Sequence, residues 1–270
     1  MLAPMIQIGM STSCVYPLET ERAFQLAREA GFDGVEVMVT NAATTRDAVE
    51  LRKLSKKYHL PILSIHAPVL LLTTFVWGRD PQVKLERSAE LAAAVGADTV
   101  VVHPPFRWQK DYSENFLEIV RRIETSSGIN IGVENMFPWK AKGRSVAAYA
   151  PGWDPSDWDC DNVTLDFSHA SLAGQSGLEL AQHFGDRLRH IHLCDGSGSQ
   201  DDGQIFDEHL IPGMGTQPVA ETLEYLAAKN WDGAVVAEIN TRRAKSDAER
   251  LKALRKTVRF ARTHLGLHTR

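Results

Sequence analysis

Short runs of apolar, mostly β-branched residues recur about every thirty residues along the chain, separated by segments whose apolar positions repeat with a helical period. Read as strands, the runs fall at Ile6–Met10, Gly34–Val39, Pro61–Ile65, Thr99–Val102, Asn130–Val133, Val163–Leu165, Leu188–His192 and Ala234–Glu238. Between the third and fourth, Asp80 and Pro81 have the form of an N-cap followed by a first helical residue. They precede an apolar stripe at Leu85, Ala89, Ala92 and Val95 that Gly96 closes. Ser113 is placed to open another helix through Phe116, Ile119, Val120 and Ile123. Strands alternating with helices predict an α/β protein with a parallel sheet. A count of eight, with no GxGxxG after the first strand, predicts that the sheet closes as a (β/α)8 TIM barrel and does not stay open and doubly wound. Only Phe137 to Asp161, rich in Trp, Pro and Gly, follows neither period, and it reads as a long irregular loop of the kind that more often carries function than not.

Length agrees with this reading: 270 residues is close to the roughly 250 of one such barrel, so residues 1–270 are expected to form a single domain. A formal net charge of -4 advertises neither nucleic acid nor an anionic membrane surface. Cys14, Cys160 and Cys194 are odd in number and lack a CxxC spacing, which fits reduced cytoplasmic thiols better than a disulfide framework or a Cys-type zinc knuckle. No window has the 18 or so unbroken apolar residues of a membrane span, and no secretory signal pattern opens the chain, so a soluble cytoplasmic protein with no membrane partner is expected.

In a TIM barrel the chemistry sits where strands end and the following loops begin. Those positions here are occupied by potential metal ligands: His66 in SIHAP, His103 in VVHPP, Glu134 in GVENM, Asp166 and His169 in LDFSHA, His192 in HIHLCD and Glu238 in VVAEIN. The loop after the seventh strand adds Asp207 and His209 in DEHLIPGMG. A lone His at a strand end is more often a hydrogen-bonded structural residue than a ligand. Imidazoles and carboxylates at six strand ends of one face are a different matter, because such nitrogen and oxygen donors are what zinc, manganese and similar cations take.

On these residues the chain resembles the xylose isomerase-like TIM barrels, a superfamily that includes sugar isomerases and epimerases and endonuclease IV. The resemblance implies that Glu134, Asp166, His192 and Glu238 are the four ligands of one catalytic cation, as in the epimerases. It also implies that His66, His103, His169, Asp207 and His209 stand where endonuclease IV completes a three-zinc cluster. In that arrangement Glu134 bridges two ions, with His66 and His103 on one, Asp166, His192 and Glu238 on the second, and His169, Asp207 and His209 on the third.

Two activities follow. The first is a metal-dependent isomerase or epimerase of a small sugar, sugar phosphate or related polyol. A cation on the carbonyl and neighbouring hydroxyl favours an enediolate, and the resemblance assigns the proton transfer to Glu134 and Glu238 as the catalytic pair. His169 would then contact a substrate oxygen, and Arg107, Lys140, Arg144 and Arg242, which follow strands four, five and eight, are candidates to hold a phosphate. Trp108 and Trp139, with Trp153 and Trp158, offer aromatic faces suited to a sugar ring. The second is a tri-zinc phosphodiesterase resembling endonuclease IV, with DNA containing abasic sites as the partner. Against it, Val69-Leu70 after the third strand lack the aromatic member of that family's DNA wedge, and the run Asp154, Asp157, Asp159, Asp161 is acidic. A small-substrate phosphoesterase or lyase remains a third use of the same ligands. The expected cofactor is a divalent metal, up to three Zn2+ or a Mn2+, with no organic cofactor.

Overall fold

A computed structural model describes residues 6–69, 73, 75–141, 144–198 and 207–267. Its strands are β1 (Gln7–Ser11), β2 (Gly34–Met38), β3 (Ile62–His66), β4 (Thr99–Val102), β5 (Asn130–Glu134), β6 (Trp139–Ala141), β7 (Arg144–Val146), β8 (Val163–Asp166), β9 (Leu188–Leu193) and β10 (Ala234–Ala237). Its helices are α1 (Thr20–Ala30), α2 (Ala48–Tyr58), α3 (Pro81–Val95), α4 (Lys110–Glu114), α5 (Phe116–Ser127), α6 (Phe167–Ala173), α7 (Gly177–Phe184), α8 (Val219–Ala228) and α9 (Asp247–His264). Strands β1, β2, β3, β4, β5, β8, β9 and β10 pair in that order as a closed parallel barrel, β10 returning to β1 with Gln7 opposite Ala234 and Met10 opposite Ala237. The predicted (β/α)8 TIM barrel is therefore the observed fold. Each barrel strand starts and stops within one residue of its predicted bounds, because a strand covered by helices outside and by side chains inside reads as an unbroken apolar run.

Capping sets the helices that shield the barrel. Asp80 Oδ1 accepts the backbone N–H of Gln82 at 2.9 Å and of Val83 at 3.5 Å, Pro81 takes the first helical position, and Gly96 ends α3 at φ 81°, a conformation that favours glycine. Leu85, Ala89 and Ala92 are buried as the stripe requires. Ser113 does not open the next helix. It lies in the short α4, where its Oγ donates to the Lys110 carbonyl at 2.8 Å, and α5 begins beyond Asn115. The break lets two buried rings, Tyr112 and Phe116, meet edge to face at 5.6 Å.

The stretch Phe137 to Asp161 is more ordered than its composition suggests. β6 and β7 form an antiparallel hairpin, Trp139 opposite Val146 and Ala141 opposite Arg144; three-residue strands are too short to show an alternating pattern. Lys140 and Arg144 fall in this hairpin, and their side chains lie outside the described residues, as does Leu70 after β3. Arg187 ties down the rest of the loop by donating to the carbonyls of Ser156 at 2.5 Å and Trp158 at 3.0 Å. Among the described residues no helix is long and apolar enough to cross a membrane.

Candidate metal centre

His66 is the last residue of β3, Glu134 of β5 and Asp166 of β8; His192 is the next-to-last of β9; His103 and Glu238 directly follow β4 and β10. Parallel strands with a common twist bring these ends to one mouth. His169 enters from the first turn of α6, which Asp166 caps: its Oδ1 accepts the His169 backbone N–H at 2.7 Å. Asp207 and His209 come from the loop between β9 and α8. All nine residues expected from the sequence meet here.

Glu134 is at the centre and divides its two oxygens. Oε1 is 3.0 Å from His192 Nδ1 and 3.2 Å from His169 Nδ1, while Oε2 is 3.0 Å from His103 Nε2 and 3.5 Å from His66 Nε2. His192 Nδ1 also faces Glu238 Oε2 at 2.9 Å and Asp166 Oδ2 at 3.7 Å. On the far side, Asp207 Oδ2 receives His169 Nε2 at 3.0 Å and His209 Nε2 at 2.7 Å. The nine residues form three groups of donors, each with its atoms within 4.8 Å of one another: His66, His103 and Glu134; Glu134, Asp166, His192 and Glu238; His169, Asp207 and His209; two further groups bring in Cys194 beside Asp166 and His209, and Glu36 and His190 beside His192.

Hydrogen bonds outside the cluster decide which nitrogen each imidazole presents. A carbonyl can only accept, so the Nδ1–H of His66 donates to Ala67 O at 2.8 Å, that of His169 to Asn135 O at 2.9 Å and that of His209 to Glu238 O at 2.7 Å. Each of the three is thereby left with Nε2 turned toward a carboxylate of the cluster, as a metal-binding histidine is oriented. His209 does this from a backbone φ of 43°, a left-handed conformation that costs roughly 1–2 kcal/mol in a residue with a Cβ.

The donor set fits a divalent cation. Glu134 Oε2 is buried without a hydrogen-bond partner although two imidazole nitrogens face it. Two ligands held about 2.0–2.1 Å from one tetrahedral zinc stand roughly 3.3 Å apart, and the spacings above, 2.7 to 3.7 Å, bracket that value. Burial alone would raise the Glu134 and Glu238 carboxyls. Instead His192, with His103 and His169, holds Glu134 well below the usual carboxylate range, and His192, His209 and His66 bring Glu238 down to about 2. Burial opposes charge on His192 as well, yet Glu238, Glu134 and Glu36 around it raise its imidazole well above the ordinary value. Without metal, protons on the imidazoles supply the positive charge these carboxylates need.

Several supporting residues are not apparent in the sequence. Ser13, just past β1, donates its Oγ–H to Glu238 Oε1 at 2.9 Å. The Asn135 side chain brackets the Asp166 backbone, accepting its N–H at 2.7 Å and donating to its carbonyl at 3.0 Å. Ser168 donates to Asp207 Oδ1 at 2.7 Å. Asp195 is fully buried, and its carboxylate accepts the backbone N–H groups of Gly196, Gly213, Gly215 and Gln217 at 2.8 to 3.1 Å, folding the loop that carries Asp207 and His209. Glu36 in the middle of β2 and His190 on β9 are also fully buried. A carboxylate at mid-strand among apolar residues was the one legible signal for Glu36.

An aromatic group stands beside the metal ligands. Phe137 lies 5.2 Å from the His169 ring, and Phe106, Trp139, Tyr149 and Trp153 pack around it as a small apolar cluster of their own. Trp108, exposed, stacks on Phe106 at 4.3 Å. Trp158 takes no part, packing instead against the main core. Arg107 and Arg242 are exposed, the latter 4.8 Å over the Tyr16 ring, and among the described residues neither bonds to the cluster.

The chain belongs to the xylose isomerase-like TIM barrel family, whose model matches residues 24–264. It is 44% identical to an uncharacterized protein of Mycobacterium tuberculosis over 283 aligned residues, covering 98% of this chain and 99% of that one. Fructoselysine 3-epimerase of Escherichia coli O157:H7 is 21% identical over 260 aligned residues, covering 87% and 91%. Among solved structures, a D-tagatose 3-epimerase-like protein superposes with a TM-score of 0.69 at 23% identity, covering 96% of this chain and 99% of that one.

Proposed function

We propose that this protein is a divalent-metal-dependent isomerase or epimerase of a small sugar, sugar phosphate or related polyol. One observation carries the reading: Glu134 and Glu238 approach the same nitrogen of His192, at 3.0 and 2.9 Å, within a group of four donors sized for one cation. A cation held there by Glu134, Asp166, His192 and Glu238 supplies Lewis-acid stabilisation for negative charge developing on substrate oxygens. Glu134 and Glu238 remove and return a carbon-bound proton, one carboxylate to each face of the reacting carbon. His169 hydrogen-bonds a substrate oxygen, and the Phe106, Trp108 and Trp139 group offers a sugar ring an apolar face. Arg107, Lys140, Arg144 and Arg242 are the cations assigned to a substrate phosphate. The sugar epimerases among the similar proteins support the same substrate class.

A second reading, a tri-zinc phosphodiesterase acting on abasic DNA, is favoured by one specific observation: His66 with His103, and His169 with Asp207 and His209, complete two further donor groups around Glu134. Metal content separates the two. Under the epimerase reading, His209→Ala keeps the catalytic ion and much of the turnover, whereas Glu238→Ala loses both. Under the phosphodiesterase reading, the purified chain carries about three zinc ions and cuts an abasic-site duplex, and His209→Ala loses one ion with most of the incision. Elemental analysis beside an incision assay reads both, and full activity in Glu238→Ala would contradict either.

A further inference from the structure

Of the imidazoles whose outer nitrogen has a partner, His192 is oriented differently from the rest. His66, His169 and His209 each anchor Nδ1–H on a backbone carbonyl and present Nε2. His192 presents Nδ1 to Glu134 and Glu238, so the nitrogen left to be anchored is Nε2, and what faces it is the carboxylate of Glu36, with Oε1 at 3.3 Å and Oε2 at 3.4 Å.

Glu36 sits below the mouth and is fully buried, out of reach of any substrate. The groups facing it are Ser64, His190 and His192. Ser64 Oγ donates to Oε2 at 2.8 Å, and His190 Nε2 stands 3.2 Å from the same oxygen and 3.1 Å from Ser64 Oγ. Both of those contacts use Oε2. His192 Nε2 reaches the same oxygen at 3.4 Å and lies 3.3 Å from Oε1, which has no hydrogen-bond partner of its own. A fully buried carboxylate must be satisfied by donors that cannot leave, and the Nε2–H of His192, which faces both of its oxygens, is one of them.

We propose that Glu36 is a positioning residue for the metal centre: by accepting the Nε2–H of His192 it fixes the tautomer that presents Nδ1 to the cation shared with Glu134, Asp166 and Glu238. The inference rests on the cation site described under Proposed function but on neither of the two activities. A carboxylate behind a metal-binding histidine would orient the ring and make its free nitrogen a better ligand. Strand β2, which contributes no ligand of its own, acts on the metal through this contact. Ser64 holds Glu36 in turn, so the strand-three position two residues before His66 serves the same cation.

Zinc affinity of the full chain, measured by competition with a chromophoric chelator, tests this directly. Glu36→Gln is expected to bind zinc about 10–100-fold more weakly than the parent, while Glu21→Gln, on the outer helix α1, binds it equally well. Proton–nitrogen correlation on zinc-loaded protein with 15N-labelled histidine adds a readout that loss of packing alone would not move. In the parent, His192 should show a protonated Nε2 with a downfield proton and an unprotonated Nδ1, and in Glu36→Gln that proton should shift upfield. Affinity within twofold of the parent, or zinc on Nε2 of His192, overturns the proposal while leaving the metal site intact. A parent chain that binds no zinc overturns the site and the proposal together. If Glu36→Gln does not fold, the spectrum of the parent alone decides, since the tautomer is the claim.

Discussion

Most ligands in the mouth owe their orientation to a hydrogen bond from outside their own donor group. Ala67, Asn135 and Glu238 lend carbonyls, Ser13 and Ser168 lend hydroxyls, and the Asn135 amide holds the backbone of Asp166. The cysteine thiols are kept from ready ionisation by their surroundings. Burial pushes the Cys160 thiol up to about 11 and the Cys194 thiol up to about 12, in the latter case with Asp166 adding to the effect, and burial raises Cys14 as well. All three should therefore resist a thiol reagent at pH 8 in the native chain and react once guanidinium unfolds it; rapid native labelling of any one would contradict their burial. An unfolded thiol ionises near about 8.5, so the stability these buried thiols contribute is fully present below that pH and is lost as pH rises through about 11 to 12. Denaturant midpoints measured from pH 8 upward should fall over that window.

At the scale of elements, what could be read from the sequence was what one strand or one helix records by itself. Barrel strands announce themselves by apolar runs, and α3 by Asp80, Pro81 and Gly96, because burial and capping act locally. The ligand positions were legible for the same reason: a barrel places strand ends at one mouth whatever its loops do. The hairpin of β6 and β7 was not, since three residues a side carry no period, and the break at Asn115 depends on how Tyr112 and Phe116 pack together. Asp195 leaves no mark in the sequence because its role is to gather backbone N–H groups from residues up to 22 positions away. Replacing it with Ala leaves those groups without their acceptor, so Asp195→Ala should cost about 2–4 kcal/mol in a urea titration. It should also loosen the loop bearing Asp207 and His209 and lower metal occupancy at that group; unchanged stability would mean that the loop folds without it.

For the whole molecule, the mouth gathers buried carboxylates, and the surrounding imidazoles outweigh the cost of burial at Glu134 and Glu238 but not at Asp166, whose carboxyl burial raises. A cation that binds the folded chain and not the unfolded one stabilises it by about 2.7 kcal/mol at a hundred times its dissociation constant. Zinc or manganese should therefore raise the melting temperature of chelator-treated protein in a concentration-dependent way, and Glu134→Gln should abolish the rise; a melting temperature indifferent to both metals would count against the site. The aromatic group around Phe106 stands beside these ligands. If Glu134 and Glu238 move a carbon-bound proton of a small sugar, as proposed, solvent exchange reads that transfer directly. Metal-loaded protein incubated with a panel of ketoses and ketose phosphates in D2O should place deuterium on a carbon beside the carbonyl of at least one, and Glu134→Gln and Glu238→Gln should place none. Incision of an abasic-site duplex with no deuterium in any sugar of the panel would contradict the account.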